Sequence, residues 1–215
     1  MTEYRDHIEH FSLLGSGWFS ELTPENTWGN IEEGEKYLEK YWLSELKYDS
    51  FWKAIQQQIF NSTHVHLPNM VFKEEYMIIA LKGGCLFLEK DFLQLQKNLL
   101  SIGEEYIIVI ENTFDGNLEE PSFRLKYPSN ITWKEITSGN FISSTILEHP
   151  HKEYFVFGSK SEWGKYSAND FHFPLDIIGF KDSNMNIFKN QFSQTDEELK
   201  EINEILPSDY IKKLG

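Results

Sequence analysis

Short apolar runs of strand length fill much of residues 76–180 and leave few folds open to this chain. They lie at residues 76–81, 85–88, 106–110, 122–127, 141–147 and 154–157, with further ones near Trp163 and Ile177. Apolar runs of this length, bounded by turn-forming residues, are typical of β-strands. Lys82-Gly83-Gly84, which separates the first two runs, predicts a hairpin. Every run is far shorter than the roughly 20 apolar residues of a membrane-spanning helix, and an acidic membrane surface would repel this acidic chain, so we expect no membrane partner.

Helical patterns precede and interrupt this block. Residues 30–46 and 49–60 carry apolar side chains at helical spacing, and glutamates fall mostly between those of the first segment. Asp49 or Ser50 is the expected N-cap of the second helix. Residues 91–100 predict a further helix inside the block of strands.

The last helix has the clearest local signal. Thr195 and Glu198 have the spacing of a capping box. An apolar stripe follows at Leu199, Ile202, Ile205 and Leu206. Pro207 ends this helix or begins a last turn.

Strands in a block with helices at both ends predict an α+β fold with a largely antiparallel sheet. We expect N-terminal helices, a C-terminal helix and one domain over residues 1–215. Residues 1–62 should be mainly helical, residues 70–192 mainly sheet and residues 195–214 helical.

The net charge of −14, from 34 acidic and 20 basic residues, restricts the partners. Nucleic-acid binding needs a basic surface, so we expect no nucleic-acid partner. An acidic protein associates quickly with a basic protein, although the charge also serves solubility alone. The first residues have neither the basic nor the apolar region of a signal peptide, and we expect a cytoplasmic protein.

No catalytic, metal or cofactor motif stands out, and we expect a protein that is not an enzyme. His64 and His66 lie on one face of an extended segment and make half of a metal site, but no third ligand follows at a recognisable spacing. A metal-dependent hydrolase that uses these two histidines is therefore the alternative function from the enzyme class.

Residues 153–180 differ in composition from the rest of the chain, because they are rich in aromatic residues, glycine and turn-forming Asn and Asp. Physically they predict a hairpin and a structured loop built on Trp163, Gly164, Tyr166 and Asp170. A small-ligand-binding module with an aromatic pocket, lined by residues such as Trp163 and Tyr166, is a further alternative.

The same segment resembles a pattern in small cytosolic immunity proteins of bacterial polymorphic and contact-dependent toxin systems. The closing residues 206–210, Leu-Pro-Ser-Asp-Tyr, are also similar to a Leu-Pro-x-x-Tyr element of one immunity superfamily, in which the element lies early in the domain. The resemblance implies a stoichiometric inhibitor without an active site that binds a toxin domain.

The leading hypothesis is therefore a cytosolic immunity protein that neutralises a cognate, basic toxin domain. Tight inhibition needs aromatic anchors inside a charged rim, and aromatic residues make up 15% of the chain. The best candidate for the partner-binding patch is the set of carboxylates on the last helix: Asp196, Glu197, Glu198, Glu201 and Glu204.

Overall fold

The computed structural model describes residue 4 and residues 31–83, 86–112, 123–139, 153–169, 174–190, 192 and 194–214. The strand expected at residues 141–147 and much of the helical region expected at residues 1–62 lie outside the described residues.

The described helices have 3 to 13 residues. In chain order they are α1 (Ile31–Tyr41), α2 (Glu45–Lys47), α3 (Lys53–Ile59), α4 (Glu89–Ser101), α5 (Trp133–Ile136), α6 (Met185–Lys189), α7 (Asp196–Ile205) and α8 (Ser208–Ile211). A π-helical segment, Tyr48–Trp52, joins α2 to α3, and a 3₁₀ turn, Asp182–Asn184, precedes α6.

The strands form a six-stranded sheet of order β1-β6-β5-β4-β2-β3, in which every pair is antiparallel. They are β1 (Tyr76–Lys82), β2 (Tyr106–Asn112), β3 (Arg124–Pro128), β4 (Glu153–Phe157), β5 (Trp163–Asn169) and β6 (Pro174–Lys181). The α+β fold with an antiparallel sheet is confirmed.

Helices cover both faces of the sheet, which explains why β4 is buried along its whole length. The first face packs against α1, α4, α5 and α6, with Leu38, Phe92, Ile136 and Phe188 in the core. The second face packs against α3, α7 and α8, with Ile59, Ile202 and Tyr210 in the core. The sheet is therefore the middle of three layers.

Both edge strands are covered by chain from outside the sheet. At β1, the backbone N–H of Ile78 donates to the carbonyl of Lys213 at 3.0 Å. At β3, the backbone N–H of Leu43 donates to the carbonyl of Arg124 at 2.9 Å. Unpaired edge strands invite pairing with other chains, and these contacts remove part of that template.

The hairpin expected around Lys82-Gly83-Gly84 is wrong. β1 pairs along its length with β6, from Tyr76 opposite Lys181 to Lys82 opposite Leu175. Residues 86–88 form no strand and lead into α4. Their apolar side chains reflect burial, because Leu86 and Phe87 lie in the core of the first face.

The expected N-cap at Asp49 or Ser50 is also wrong, because both residues lie inside the π-helical segment. The helical stretch begins earlier, where the Ser44 side chain accepts a hydrogen bond from the backbone N–H of Lys47 at 3.4 Å. Asp49 instead forms an ion pair with Lys53 at 2.8 Å, one helical turn later.

Candidate functional site

Helix α7 begins at the predicted capping box. The Thr195 hydroxyl accepts from the backbone N–H of Glu198 at 3.2 Å, and the backbone N–H of Thr195 donates to the Glu198 carboxylate at 2.8 Å. Ile202 is buried against the second face of the sheet. The helix is thus held by its cap and by its apolar side.

The five predicted partner-binding residues all lie on the exposed side of this helix: Asp196, Glu197, Glu198, Glu201 and Glu204. Two of them have structural partners. Glu198 closes the capping box, and Glu201 forms an ion pair with Lys82 of β1. The carboxylate face, defined as these five residues, is therefore linked to the β1 edge of the sheet through Glu201.

The carboxylate face perturbs the ionisation of its own neighbours. The hydrogen bond to Glu201 raises the pKa of Lys82, and the negative charges of Glu201, Glu198 and Glu197 add to this effect. The backbone hydrogen bond from Thr195 lowers the pKa of Glu198. The five carboxylates thus place negative charge close together on the exposed side of α7.

Trp163 and Gly164, from the aromatic segment, lie against buried side chains. The Trp163 indole N–H donates to the Glu104 carboxylate at 3.2 Å. A Cβ atom on Gly164 would lie 2.8 Å from side-chain carbons of Ile59 and Phe60. Asp170, the fourth residue of this predicted motif, lies outside the described residues.

Trp163 and Tyr166 lie in the cores of opposite faces of the sheet, because they are three positions apart on one strand and successive side chains alternate between the faces. Each side chain is fully buried. The two rings therefore do not line a common pocket.

Tyr166 belongs to a buried polar cluster on the second face. Its hydroxyl donates to Glu153, and the Asn112 amide donates to the Tyr166 hydroxyl at 3.3 Å and to the carbonyl of Val65 at 3.0 Å. Burial, followed by the negative charge of Glu153, raises the pKa of Tyr166. The cluster holds the 61–70 loop against the end of β2.

His64 and His66 flank Val65 in that loop, and both side chains are exposed. Among the described residues, no group of three or more His, Cys, Asp or Glu side chains could hold a metal ion. The pair therefore gains no third ligand from the part of the chain that the structure describes.

A second buried polar cluster, missed by the sequence reasoning, lies on the first face. The Lys165 ammonium contacts the Asp176 carboxylate at 2.8 Å and donates to the carbonyl of Leu86, while the Ser167 hydroxyl donates to Asp176 at 2.7 Å. Lys, Ser and Asp side chains can act as acids, bases or nucleophiles in active sites. Here, however, all three are at most 5% exposed and hydrogen-bonded to one another or to backbone, so the cluster is structural.

A cleft at the β3 edge was also missed. It has a volume of about 340 Å³ and opens to solvent between the α1–α3 region and the paired strands β2 and β3. Three lysines and four aromatic residues line it: Lys40, Lys47, Lys126, Tyr41, Trp42, Trp52 and Tyr106. We call it the cationic cleft. Its residues come from three separate parts of the sequence, 40–52, 106 and 126–128, so no local pattern predicts it.

In the part of the chain that the structure describes, every helix is too short or too polar to traverse a bilayer. Comparisons with protein-family models, with curated proteins and with solved structures give no match.

Proposed function

We propose that this chain is a cytoplasmic immunity protein that binds a cognate, basic bacterial toxin domain and neutralises it. The observation that carries the proposal is the carboxylate face of α7, which projects five acidic side chains and a single lysine, Lys200, from one ten-residue helix. The resemblance of residues 153–180 to immunity proteins supports the biological setting.

Electrostatics favours a basic partner. With 34 acidic and 20 basic residues, the whole molecule attracts a cationic protein over a distance of about one Debye length, roughly 10 Å at 0.1 M salt. Toxin domains that act on nucleic acid must themselves be basic in order to hold phosphate. An acidic helix can cover the surface that would bind the phosphate backbone.

The folded position of α7 suits it to recognition. Its cap and its buried Ile202 fix the helix before any partner arrives, so binding need not order it. Preorganised surfaces lose less conformational entropy on association. Asp196, Glu197 and Glu204 are the residues to substitute, because Glu198 and Glu201 also stabilise the fold.

The test is co-expression with a toxin domain encoded beside this chain. The two proteins should co-purify as a 1:1 complex, and the complex should lack toxin activity. The variant Asp196→Asn, Glu197→Gln, Glu204→Gln should release the toxin at lower salt and restore part of its activity.

A matched control removes three exposed carboxylates elsewhere: Glu35→Gln, Glu39→Gln and Glu75→Gln. Both variants change the net charge equally, from −14 to −11. If the two variants bind alike, the carboxylate face is not the interface. Absence of a complex even at low salt contradicts the proposed function itself.

A further inference from the structure

The cationic cleft is an exception to the charge of the molecule around it. Three of its lining residues are lysines, and no Asp or Glu of the described chain lines it, although Lys40 forms an ion pair with Glu135 at 3.4 Å. In a chain with 34 acidic and only 20 basic residues, this segregation sets the cleft apart from the general surface.

Two of these lysines, Lys47 and Lys126, form no ion pair with the described part of the chain. Neither Lys47 Nζ nor Lys126 Nζ makes a hydrogen bond or an ion pair within the described chain. Burial, and then the positive charge of Lys47, lower the pKa of Lys126, while Glu105 opposes this only in part. The positive charge of Lys47 therefore acts on Lys126, and an anion bound beside these two lysines in the cleft would offset it.

The aromatic wall holds Lys126 in place. Its Nζ lies 3.7 Å from the centroid of the Tyr106 ring and 5.2 Å from that of Trp52. The two rings meet edge to face, with centroids 6.0 Å apart. An ammonium has three N–H donors, and those of Lys126 that do not face the rings can donate to a ligand.

We propose that the cationic cleft binds a small phosphate ester with a planar aromatic body, of the mononucleotide class. Lysine ammoniums bind phosphate as point charges, and Lys47 and Lys126 together match its double negative charge. Trp42 and Tyr106 line the cleft with partly exposed rings. Arg124 lies over the Trp42 ring, 5.6 Å from its centroid, so a planar group would contact the ring surface that Arg124 and Lys126 leave exposed. The volume of about 340 Å³ lies at the lower end of the range for small-ligand sites.

This proposal is independent of the proposed function, since the cleft lies at the β3 edge of the sheet and α7 packs at the β1 edge. The probe is adenosine monophosphate, titrated calorimetrically into the purified chain at low salt. Adenosine, which lacks the phosphate, and ribose 5-phosphate, which lacks the ring system, complete the set. We expect each to bind at least about tenfold more weakly than adenosine monophosphate.

Lys126→Met and Lys47→Met remove one charge each and keep an apolar side chain of similar length. Each should weaken binding of adenosine monophosphate at least about tenfold, whereas Lys212→Met, on an exposed lysine beyond α8, should leave binding unchanged. Thermal unfolding shows whether each variant is folded. If Lys126→Met does not fold, Lys47→Met still tests the proposal, because Lys47 is exposed.

Three results overturn the proposal. They are no detectable binding of adenosine monophosphate at millimolar concentration, adenosine or ribose 5-phosphate binding as tightly as adenosine monophosphate, and binding that neither lysine substitution weakens.

Discussion

Glu104 shows how one buried carboxylate organises a turn. It lies between α4 and β2. It accepts hydrogen bonds from the backbone N–H of Ser159 at 2.8 Å and from the Ser159 hydroxyl at 2.5 Å. It also accepts from the backbone N–H of Glu105 at 3.1 Å and from the Trp163 indole N–H. A Cβ atom on Gly158 would lie 2.1 Å from this carboxylate. The β4–β5 turn thus depends on a small residue and on an acceptor distant in sequence.

Glu104→Gln should therefore destabilise the protein. An amide cannot accept from every one of these donors, and the buried Trp163 N–H is left unpaired, at a cost of about 1–3 kcal/mol. Chemical denaturation measures the change. The control is Glu105→Gln on the exposed neighbour, which should change the free energy of unfolding by less than about 0.5 kcal/mol. Equal effects of the two substitutions would remove the role assigned to Glu104.

Gly164 and Gly179 are paired on the neighbouring strands β5 and β6. Neither has a side chain, so aromatic rings of the second face pack directly on the backbone there. A Cβ atom on Gly179 would lie 2.4 Å from Phe72 Cδ1. The missing side chains make room for the Phe60 and Phe72 rings, whose centroids are 5.1 Å apart.

Gly179→Ala should destabilise the fold by about 1–3 kcal/mol, because the added methyl group meets a ring that cannot move freely in a close-packed core. In denaturation experiments, Phe72→Leu in the same chain should recover part of that loss. The double variant should therefore be less destabilised than the sum of the two single variants. Simple additivity would show that the methyl group does not collide with Phe72.

At the scale of elements, a helix could be predicted where its signal is local and a strand pairing could not. The capping box predicted the start of α7, and the apolar run at residues 106–110 predicted β2, which lies inside the sheet. The false hairpin arose because the partner of β1 is β6, about 100 residues away in the chain. Tertiary pairing decides such cases, and no turn signal records it.

Helix α7 also supplies a test by pH. The pKa of Glu198 is lower in the folded chain than in the unfolded chain. Its stabilising contribution is therefore complete above the unfolded pKa of about 4.3 and is lost as the pH falls through the lower, folded value.

Glu198→Gln keeps a capping-box acceptor and removes the titrating group. Between pH 7 and pH 3, the wild-type chain should lose more free energy of unfolding than this variant does. Glu197→Gln, which alters a neighbouring carboxylate outside the capping box, should follow the wild-type pH dependence more closely. Identical pH profiles for wild type and Glu198→Gln would contradict this role.

On the scale of the whole molecule, charge is distributed unequally between the two edges of the sheet. The carboxylate face lies at the β1 edge, and the cationic cleft lies at the β3 edge. The sequence indicated the carboxylate face, since the acidic residues of α7 are consecutive or nearly so. It could not indicate the cationic cleft, because Lys47, Tyr106 and Lys126 meet only when α2, β2 and β3 pack together.

The most direct test of the proposed function is a titration of the chain with the toxin domain encoded beside it, at 50 mM and at 300 mM salt. We expect a 1:1 complex that is tight at low salt and at least about tenfold weaker at high salt, because screening reduces attraction between charged surfaces. The variant Asp196→Asn, Glu197→Gln, Glu204→Gln should show a clearly smaller salt dependence than the wild type. A complex whose affinity is the same at both salt concentrations, or no complex at all, would contradict an inhibitor that acts through its negative charge.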